Sequence, residues 1–271
     1  MKKSLLLPLV VALCMQHPAT LRAALVLHYT FDDATEFTSA TGDTISDSSG
    51  NGRDATEGPR NILWDSGGIS GGAIDVRTNN TYFSPTVNLS AGLVPANRYT
   101  LVFWVKSADT NNFKDWGQVE YSDGQRAELR TLDANPNRGF YYRDTGPTPD
   151  WLSVNRGINL KDNEWHQIAL VFSPIDNSLT TYLDGSNPHT ITGNPRTNGE
   201  YVQSILIGRS SASDGPTGLM DDVQLYNIAL SAEQVTFLYN NPGQVIPEPS
   251  VAALLALALG ASLTRRRRGG R

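Results

Sequence analysis

Two glutamates are the acidic residues whose spacing comes nearest to that of a hydrolase. Glycoside hydrolysis needs two carboxylates that face one cleft at about 5 to 9 Å. Glu120 and Glu128 flank a predicted turn at Asp123-Gly124. Because solvated residues of neighbouring strands have the same arrangement, this spacing is only weak support for a glycosidase.

Histidine and serine offer no better catalytic arrangement. After the N-terminal segment the histidines are His28, His166 and His189, and the first two stand in predicted strands. No serine occupies a Gly-x-Ser-x-Gly elbow, and neither His-Glu-x-x-His nor paired cysteines occur. Function has to be argued from a site, so we predict that the protein is not an enzyme.

The segment from Asp47 to Gly52 is dense in oxygen donors, with Asn51 among them and glycines that allow a tight turn. Calcium takes six to eight oxygens from carboxylates, amides and backbone carbonyls. The same residue types also form Asx turns, in which the side chains bond only their own backbone. From these residues alone both interpretations stay open.

Aromatic residues divide into two groups. Trp104, Trp165 and Tyr182 stand in predicted strands, where core packing is the expected role. A second group lies beside Gly, Asp, Asn or Pro, and its exposed members are predicted to stack on sugar rings. Its members are Trp64, Trp116, Tyr141, Tyr142 and Trp151.

Most of these residues lie in or beside segments that are predicted to be short strands. Residues 25–31, 99–105 and 165–172 are apolar or alternating runs, and turn signals recur at intervals of roughly 8 to 15 residues. This pattern is typical of a β-sandwich. One helix is predicted, because Ser231 and Gln234 form a capping box ahead of an apolar stretch.

The N-terminus has the three parts of a signal peptide, which we assign to residues 1–23. Lys2 and Lys3 precede an apolar run, and Leu21-Arg22-Ala23 ends in a small residue suited to cleavage. The only cysteine, Cys14, lies in this segment, so the mature domain is predicted to fold without disulfides.

Charge is distributed unevenly along the chain. The two ends hold eight of the 22 basic residues but only one of the 27 acids, which leaves 14 basic and 26 acidic residues between them, a net of −12. Phosphates would be repelled by such a domain, so nucleic acid is excluded as a partner. Neutral glycans and divalent cations are compatible with it.

The C-terminus combines a Pro-Glu-Pro motif, an apolar run at 251–263 and an arginine cluster. As a helix the run would span about 20 Å. A stable membrane span needs roughly 20 apolar residues, which cover about 30 Å. The arginines predict that this end stays on the cytoplasmic side. The sorting residues are Pro247, Glu248, Pro249, Arg265, Arg266, Arg267 and Arg268.

This combination resembles the PEP-CTERM sorting tail. The resemblance implies an exosortase-type partner, contact with the membrane through the tail helix before processing, and export to the cell surface or extracellular matrix of a Gram-negative-type bacterium.

Several segments, in their order and spacing, resemble the laminin-G-like, concanavalin A-like jelly-roll domains of bacterial surface proteins. The resemblance implies an all-β, two-sheet antiparallel jelly roll over residues 24–240, with adjacent first and last strands and one short C-terminal helix. A linker at 241–249 and a sorting tail at 250–271 follow. The segments lie at 29–33, 47–52, 72–75, 99–105, 164–169, 182–185, 218–227 and 229–234.

The same resemblance implies a structural calcium ion between the loop after the first strand and the acidic pair before the last strand. The matching positions are Asp32, Asp47, Asn51, Asp221 and Asp222. Neighbouring residues of a strand point to opposite faces, so we expect only one of Asp221 and Asp222 to bind the ion and the other to be paired elsewhere.

Together these features predict an exported surface or matrix protein with a non-catalytic, lectin-like domain that binds glycan or exopolysaccharide. A structural or adhesive protein whose ligand is another protein is the first alternative. A glycoside hydrolase of the same fold, using Glu120 or Glu128, is the second.

Overall fold

Nearly all residues that the computed structural model describes fall within Leu25–Ile246. The residues described are 25–33, 44–57, 63–76, 83–85, 89–109, 115–131, 139–145, 151–155, 157–194, 196, 200–208 and 217–247. The predicted signal peptide, the arginine cluster, Glu248 and Pro249 lie outside these residues. Within them, no helix is long and apolar enough to cross a membrane.

Antiparallel strands make up nearly all of the described structure. They are β1 Leu25–Tyr29, β2 Thr44–Ile45, β3 Ala55–Glu57, β4 Leu63–Asp65, β5 Ala73–Asp75, β6 Phe83–Pro85, β7 Tyr99–Ser107, β8 Asp115–Tyr121, β9 Arg126–Thr131, β10 Phe140–Asp144, β11 Trp151–Asn155, β12 Trp165–Ser173, β13 Ser178–Leu183, β14 Ser186–Thr192, β15 Val202–Ile207 and β16 Gly218–Tyr226.

The strands form two sheets. Sheet A has the order β14-β13-β12-β7-β16-β5-β4, with β1 paired to β16, and sheet B has the order β11-β10-β9-β8-β15-β6-β3-β2. Their inner faces enclose one hydrophobic cluster that includes Phe103, Val119, Phe140 and Leu170, each at most 1% exposed. The burial of apolar side chains is the main favourable contribution to the free energy of folding. The predicted two-sheet antiparallel sandwich is confirmed.

The first and last strands lie side by side, as predicted. In the antiparallel pairing of β1 with β16, Leu27 stands opposite Leu225. The start and end of the domain are thereby joined in the middle of sheet A, beside the long strand β7.

One helix, α1 (Ala232–Asn240), follows β16. The predicted capping box is present, because the Ser231 side chain accepts from the backbone N–H of Gln234 and the Gln234 side chain accepts from the backbone N–H of Ser231. Tyr239 of this helix stacks on Trp104 of β7, with ring centroids 5.4 Å apart. The helix therefore covers part of the outer face of sheet A.

Candidate functional site

A cavity of about 400 Å³ lies at one end of sheet A, where β4 and β7 end and β16 begins. Its volume falls in the range of roughly 300 to 1,000 Å³ that is usual for small-ligand sites. Its surface is about equally polar and apolar, and its lining residues come from these strands, the segments next to them and the loop before β12: Asp65, Lys106, Ser107, Ala108, Asp109, Asn163, Thr217, Gly218 and Leu219.

Hydrogen bonds between backbone and side chains fix the walls of this cavity. Ser107 Oγ donates to the carbonyl of Thr217 at 2.6 Å, and the backbone N–H of Thr217 donates to Oδ2 of Asp109 at 3.0 Å. The backbone N–H of Asn163 donates to the carbonyl of Ser107 at 2.9 Å, which ties the loop before β12 to the end of β7. Asn163 holds a left-handed conformation with φ 67°, which Asn tolerates better than most residues.

Gly218 is required by the close approach of β16 to its neighbours. A Cβ at this position would stand 3.0 Å from Cη2 of Trp116 and 3.1 Å from Cβ of Ser107, and would collide with the backbone carbonyl of Lys106. A larger residue would therefore push β16 away from β7 at the floor of the cavity.

The register of sheet A places an aromatic ring beside the cavity lysine. Lys106 stands opposite Trp165 of β12 on one side and Leu219 of β16 on the other. Val105 points into the core, so Lys106 and its partners lie on the outer face of the sheet. Trp165 is only half-buried there, although its strand pattern had predicted a core residue.

The predicted sugar-stacking aromatics are not gathered at one place. Trp116 and Tyr142 are wrong as ligand residues, because both side chains are 0% exposed and pack inside the sandwich. The hydroxyl of Tyr142 lies 3.0 Å from that of Tyr121, within the core. Short flanking polar residues suggested loops at these positions, but both residues lie in strands with their side chains turned inward.

The other three predicted aromatics are half-buried. Trp64 donates its Nε1–H to the carbonyl of Phe31 at 2.8 Å, and Trp151 donates to the carbonyl of Thr192 at 3.2 Å. Tyr141 lies in β10. These hydrogen bonds hold Trp64 and Trp151 in place on the edge strands β4 and β11, and part of each ring remains exposed at the surface.

The two glutamates considered for catalysis lie on the outer face of sheet B with structural partners. Glu120 accepts from Gln118 Nε2 at 2.8 Å and from Ser204 Oγ at 2.6 Å. Glu128 is 4% exposed and lies 3.0 Å from the Arg130 guanidinium. The expectation of two solvated strand residues is therefore wrong for Glu128, which is buried beside Arg130.

Asp47 is the hydrogen-bond centre of its own loop. Its Oδ1 accepts from the backbone N–H groups of His28 and Ser49, both at 2.9 Å, and its Oδ2 accepts from Ser49 Oγ and the backbone N–H of Arg53. Burial alone would raise the pKa of Asp47, but these bonds outweigh it and lower that pKa. Asn51 turns its amide N–H₂ toward the carbonyls of Leu25 and Val26. Both residues thus close the turn onto β1.

Asp222 is paired with a histidine. Its Oδ1 lies 2.7 Å from Nε2 of His28 and accepts from Gln224 at 2.7 Å, and its Oδ2 accepts from the backbone N–H of Gly243. The residue has φ 48°, at a point where the register between β7 and β16 shifts. This carboxylate therefore joins β1, β16 and the segment after α1.

Asp221 is a fully buried carboxyl group beside the loop at 67–72. Its side chain is 0% exposed, and burial, together with the nearby charges of Asp222 and Asp32, raises its pKa to about 8 despite a hydrogen bond from the backbone N–H of Ser70. Asp32 binds the same loop, because its Oδ1 accepts from the backbone N–H of Gly72 at 3.0 Å. A divalent ion beside these two carboxylates would relieve the cost of burying charge.

The five predicted calcium ligands do not form a single cluster. Within the part of the chain that the structure describes, no group of three or more His, Cys, Asp or Glu side chains is arranged to hold a metal ion. Asp32 and Asp221 meet the glycine-rich loop at 67–72, whereas Asp47, Asn51 and Asp222 are occupied by other partners. The donor set that fits calcium is therefore smaller than predicted and needs backbone carbonyls to complete it.

Comparison with known proteins assigns the family. The sequence profile of the concanavalin A-like lectin/glucanases superfamily (Laminin_G_3) matches residues 77–236. The chain belongs to this superfamily. No curated protein gives a significant match.

Solved structures with the same fold share little sequence with the chain. Domain 4 of AbnA, a GH43 extracellular arabinanase from Geobacillus stearothermophilus solved in complex with arabinotriose, has a TM-score of 0.59 at 20% identity over 80% of this chain and 99% of that one. The binding domain of Paraclostridial Mosquitocidal Protein 1 has a TM-score of 0.59 at 16% identity over 80% of this chain and 52% of its own.

The ligand-binding domain of botulinum neurotoxin serotype D, in complex with N-acetylneuraminic acid, has a TM-score of 0.58 at 12% identity over 80% of this chain. The chain spans about half the length of that toxin domain, which is covered to 51%. At these identities the comparisons establish the fold alone.

Proposed function

We propose that the protein is a non-catalytic, glycan-binding protein of the cell surface or extracellular matrix. The observation that carries the proposal is the cavity at the end of sheet A, which is lined by side chains that donate and accept hydrogen bonds. Sugar hydroxyls need both kinds of partner at once. Membership of a lectin and glucanase superfamily, and the sugar complexes formed by two neighbours of the same fold, support it.

The non-catalytic part of the proposal rests on the partners of the acidic residues. Glu120 is held by Gln118 and Ser204, and Glu128 by Arg130. These contacts give both side chains a structural role, and the hydrogen bond from Ser204 to Glu120 joins neighbouring strands of sheet B. No release of reducing sugar is expected from polysaccharides that bind.

Export and sorting are proposed from the two ends of the chain. The signal peptide at 1–23 would direct export, and Pro247, Glu248, Pro249 and the four arginines from Arg265 would direct exosortase-type processing. Replacing residues 247–249 with alanine should leave export intact and block final processing. A mature mass in the native host that is the same with and without these residues would disprove the sorting role.

A structural calcium ion is proposed at the loop 67–72, with Asp221 and Asp32 as its side-chain ligands. The support for this site is the burial of the Asp221 carboxyl group, its electrostatic interaction with Asp32, and the hydrogen bonds that both side chains accept from this loop. The ion would compensate the negative charge of the two carboxylates. It would also join the segment after β1, which contains Asp32, to β16, which contains Asp221. It has no part in sugar binding in this proposal.

Glycan binding is tested by applying the purified protein, with calcium present, to a glycan array and to exopolysaccharide from the native host. Binding to at least one sugar is expected. Failure to bind any array sugar or the host polysaccharide, combined with recovery of a protein partner that sugars do not displace, would replace this proposal with the protein-adhesion alternative.

A further inference from the structure

The segment after α1 folds back onto the outer face of sheet A. We call residues 241–246 the C-terminal strap. Three hydrogen bonds to side chains of β16 hold it there: from the backbone N–H of Gly243 to Asp222 Oδ2 at 2.9 Å, from Gln224 Nε2 to the Gln244 carbonyl at 2.9 Å, and from the backbone N–H of Ile246 to the Tyr226 hydroxyl at 3.2 Å. The strap is therefore part of the folded domain.

The side chains that hold the strap also bond one another. Gln224 Nε2 donates to Oδ1 of Asp222 at 2.7 Å, and the Tyr226 hydroxyl donates to Oε1 of Gln224. Nε2 of His28 lies 2.7 Å from the same oxygen of Asp222. None of these bonds involves the strap, so all of them can persist without it. Each bond to the strap would be exchanged for a bond to water, which costs far less than leaving a buried group unpaired.

Close fit and little apolar burial characterise the strap itself. Gly243 has φ 78°, and a Cβ there would collide with Oγ of Ser70 and stand 3.0 Å from its Cβ. Ile246, at 8% exposed, is the only buried side chain of the strap. Because apolar burial supplies most of the favourable free energy of folding, the sandwich can stay folded when the strap leaves.

The strap ends immediately before the proposed sorting motif. Ile246 is followed by Pro247, which is exposed. Four residues, 247–250, separate Ile246 from the apolar run at 251–263, and four residues reach at most about 14 Å. Release of the strap would add six residues, or about 20 Å of reach. A processing enzyme whose cleft also takes the residues before the motif needs that release, because Ile246 is buried while the strap is docked.

We infer that the C-terminal strap is released from β16 without unfolding of the sandwich, and that its docking restricts the access of a processing enzyme to the sorting motif. The inference rests on the sorting role proposed above. It adds the step that precedes processing and the residues that control it, Gly243 on the strap and Tyr226 on the sheet.

Native-state hydrogen exchange on the purified full-length protein tests whether the strap opens by itself. The backbone amides of Gly243 and Ile246 should be protected, yet exchange at least tenfold faster than those of the central strand β7. Low concentrations of urea should not accelerate them, because a local opening exposes little surface. Strap amides that match β7 in rate and in urea dependence, or that show no protection at all, would overturn the inference.

Two variants weaken the docking from opposite sides. Gly243→Ala introduces the collision with Ser70, and Tyr226→Phe removes the hydroxyl that accepts from Ile246. Each should accelerate exchange of the strap amides about tenfold or more, with β7 changed much less. Should Tyr226→Phe fail to fold, Gly243→Ala, which alters the strap alone, decides the question.

Matched controls change the same residue types elsewhere. Gly193→Ala adds a Cβ at a left-handed glycine that has no atom within 4 Å of the new carbon. Tyr99→Phe removes a buried hydroxyl that lies 3.0 Å from the Tyr121 hydroxyl in the core. Both variants should keep the local, urea-independent exchange of the wild-type strap.

Pulse-chase mass analysis in the native host tests the control of access. The mature mass should appear at least twofold faster in Gly243→Ala and Tyr226→Phe than in the wild type and the two controls. Faster exchange with unchanged or slower processing would overturn the control of access, although the sorting role would stand. A mature mass that alanines at 247–249 leave unchanged would overturn the sorting role itself, and the exchange rates would still report whether the strap opens.

Discussion

Several buried polar side chains of this domain form hydrogen bonds that join separate segments of the chain. His166 is the clearest titratable case: its Nδ1 lies 2.9 Å from Asp184 and its Nε2 lies 3.0 Å from Asp162. Burial alone would lower the pKa of His166, but the bonds to the two carboxylates outweigh it and raise that pKa above 6.5. The protonated imidazole can donate from both nitrogens, whereas the neutral ring can donate from only one.

The stability of the domain should therefore depend on the charge of His166. Because its pKa is raised in the folded state, its contribution is complete below about pH 6.5 and is lost as the pH rises through the folded-state value. We expect the free energy of unfolding to fall over this range by on the order of 1 kcal/mol, the usual net contribution of one hydrogen bond. Urea unfolding at several pH values measures it.

His166→Gln should remove this pH dependence, and His189→Gln, on β14, should keep it. If the unfolding free energies of the wild type and of His166→Gln change in parallel from pH 6 to pH 9, the two hydrogen bonds of His166 contribute nothing to this pH dependence.

At the scale of elements, the approach of β16 to β7 forms the floor of the cavity. Gly218→Ala should cost about 1–3 kcal/mol, the range for overpacking, because the new Cβ meets Trp116, Ser107 and the Lys106 carbonyl. It should also weaken sugar binding. Chemical denaturation and calorimetry on the same preparation measure the two effects.

Gly193→Ala is the matched glycine control. Its φ of 80° disfavours a side chain, but no atom lies within 4 Å of the added Cβ. It should cost about 1 kcal/mol through backbone strain alone and leave sugar binding unchanged. Equal sugar affinity in both variants would contradict the role given to the Gly218 contact.

The elements could be predicted from sequence better than the site could. Apolar runs and turn residues indicated long strands at β7 and β12, and the capping box at Ser231 indicated α1. No periodicity specifies that Lys106 pairs with Trp165, since that register joins residues far apart in sequence. Trp116 and Tyr142 were misassigned for a different reason: their glycine and polar neighbours indicated loops, but both residues lie in strands, where the pleat turns their side chains inward.

At the scale of the whole molecule, the domain joins its first and last strands without disulfides. Asp222 links β16 to His28 of β1, and Asp221 and Asp32 hold the loop 67–72. The net charge of −12 between the two ends of the chain opposes compaction. A cation that binds only the folded state would stabilise it.

Millimolar calcium, added after chelation, should raise the melting temperature by several degrees. A hundredfold excess over the dissociation constant stabilises by about 2.7 kcal/mol, and each kcal/mol moves the melting temperature of a domain of this size by roughly 2–4 °C. Asp221→Asn should abolish the rise. Differential scanning calorimetry is the measurement, and identical melting curves in chelator and in calcium would remove the ion.

Asp47→Ala tests whether Asp47 is a calcium ligand or only a hydrogen-bond acceptor for its own loop. The variant should melt lower under all conditions, because several hydrogen-bond donors lose their acceptor, yet it should keep its response to calcium. Loss of the calcium response in Asp47→Ala would return that residue to the ligand set.

Sugar binding in the cavity at the end of sheet A can be observed in a crystal structure of the protein soaked with the best ligand from the glycan array. We expect sugar density in the cavity, with hydroxyls within hydrogen-bond distance of the side chains that line it. Sugar bound on the outer face of sheet B, beside Glu120 and Tyr141, with no sugar in the cavity, would disprove this role of the cavity.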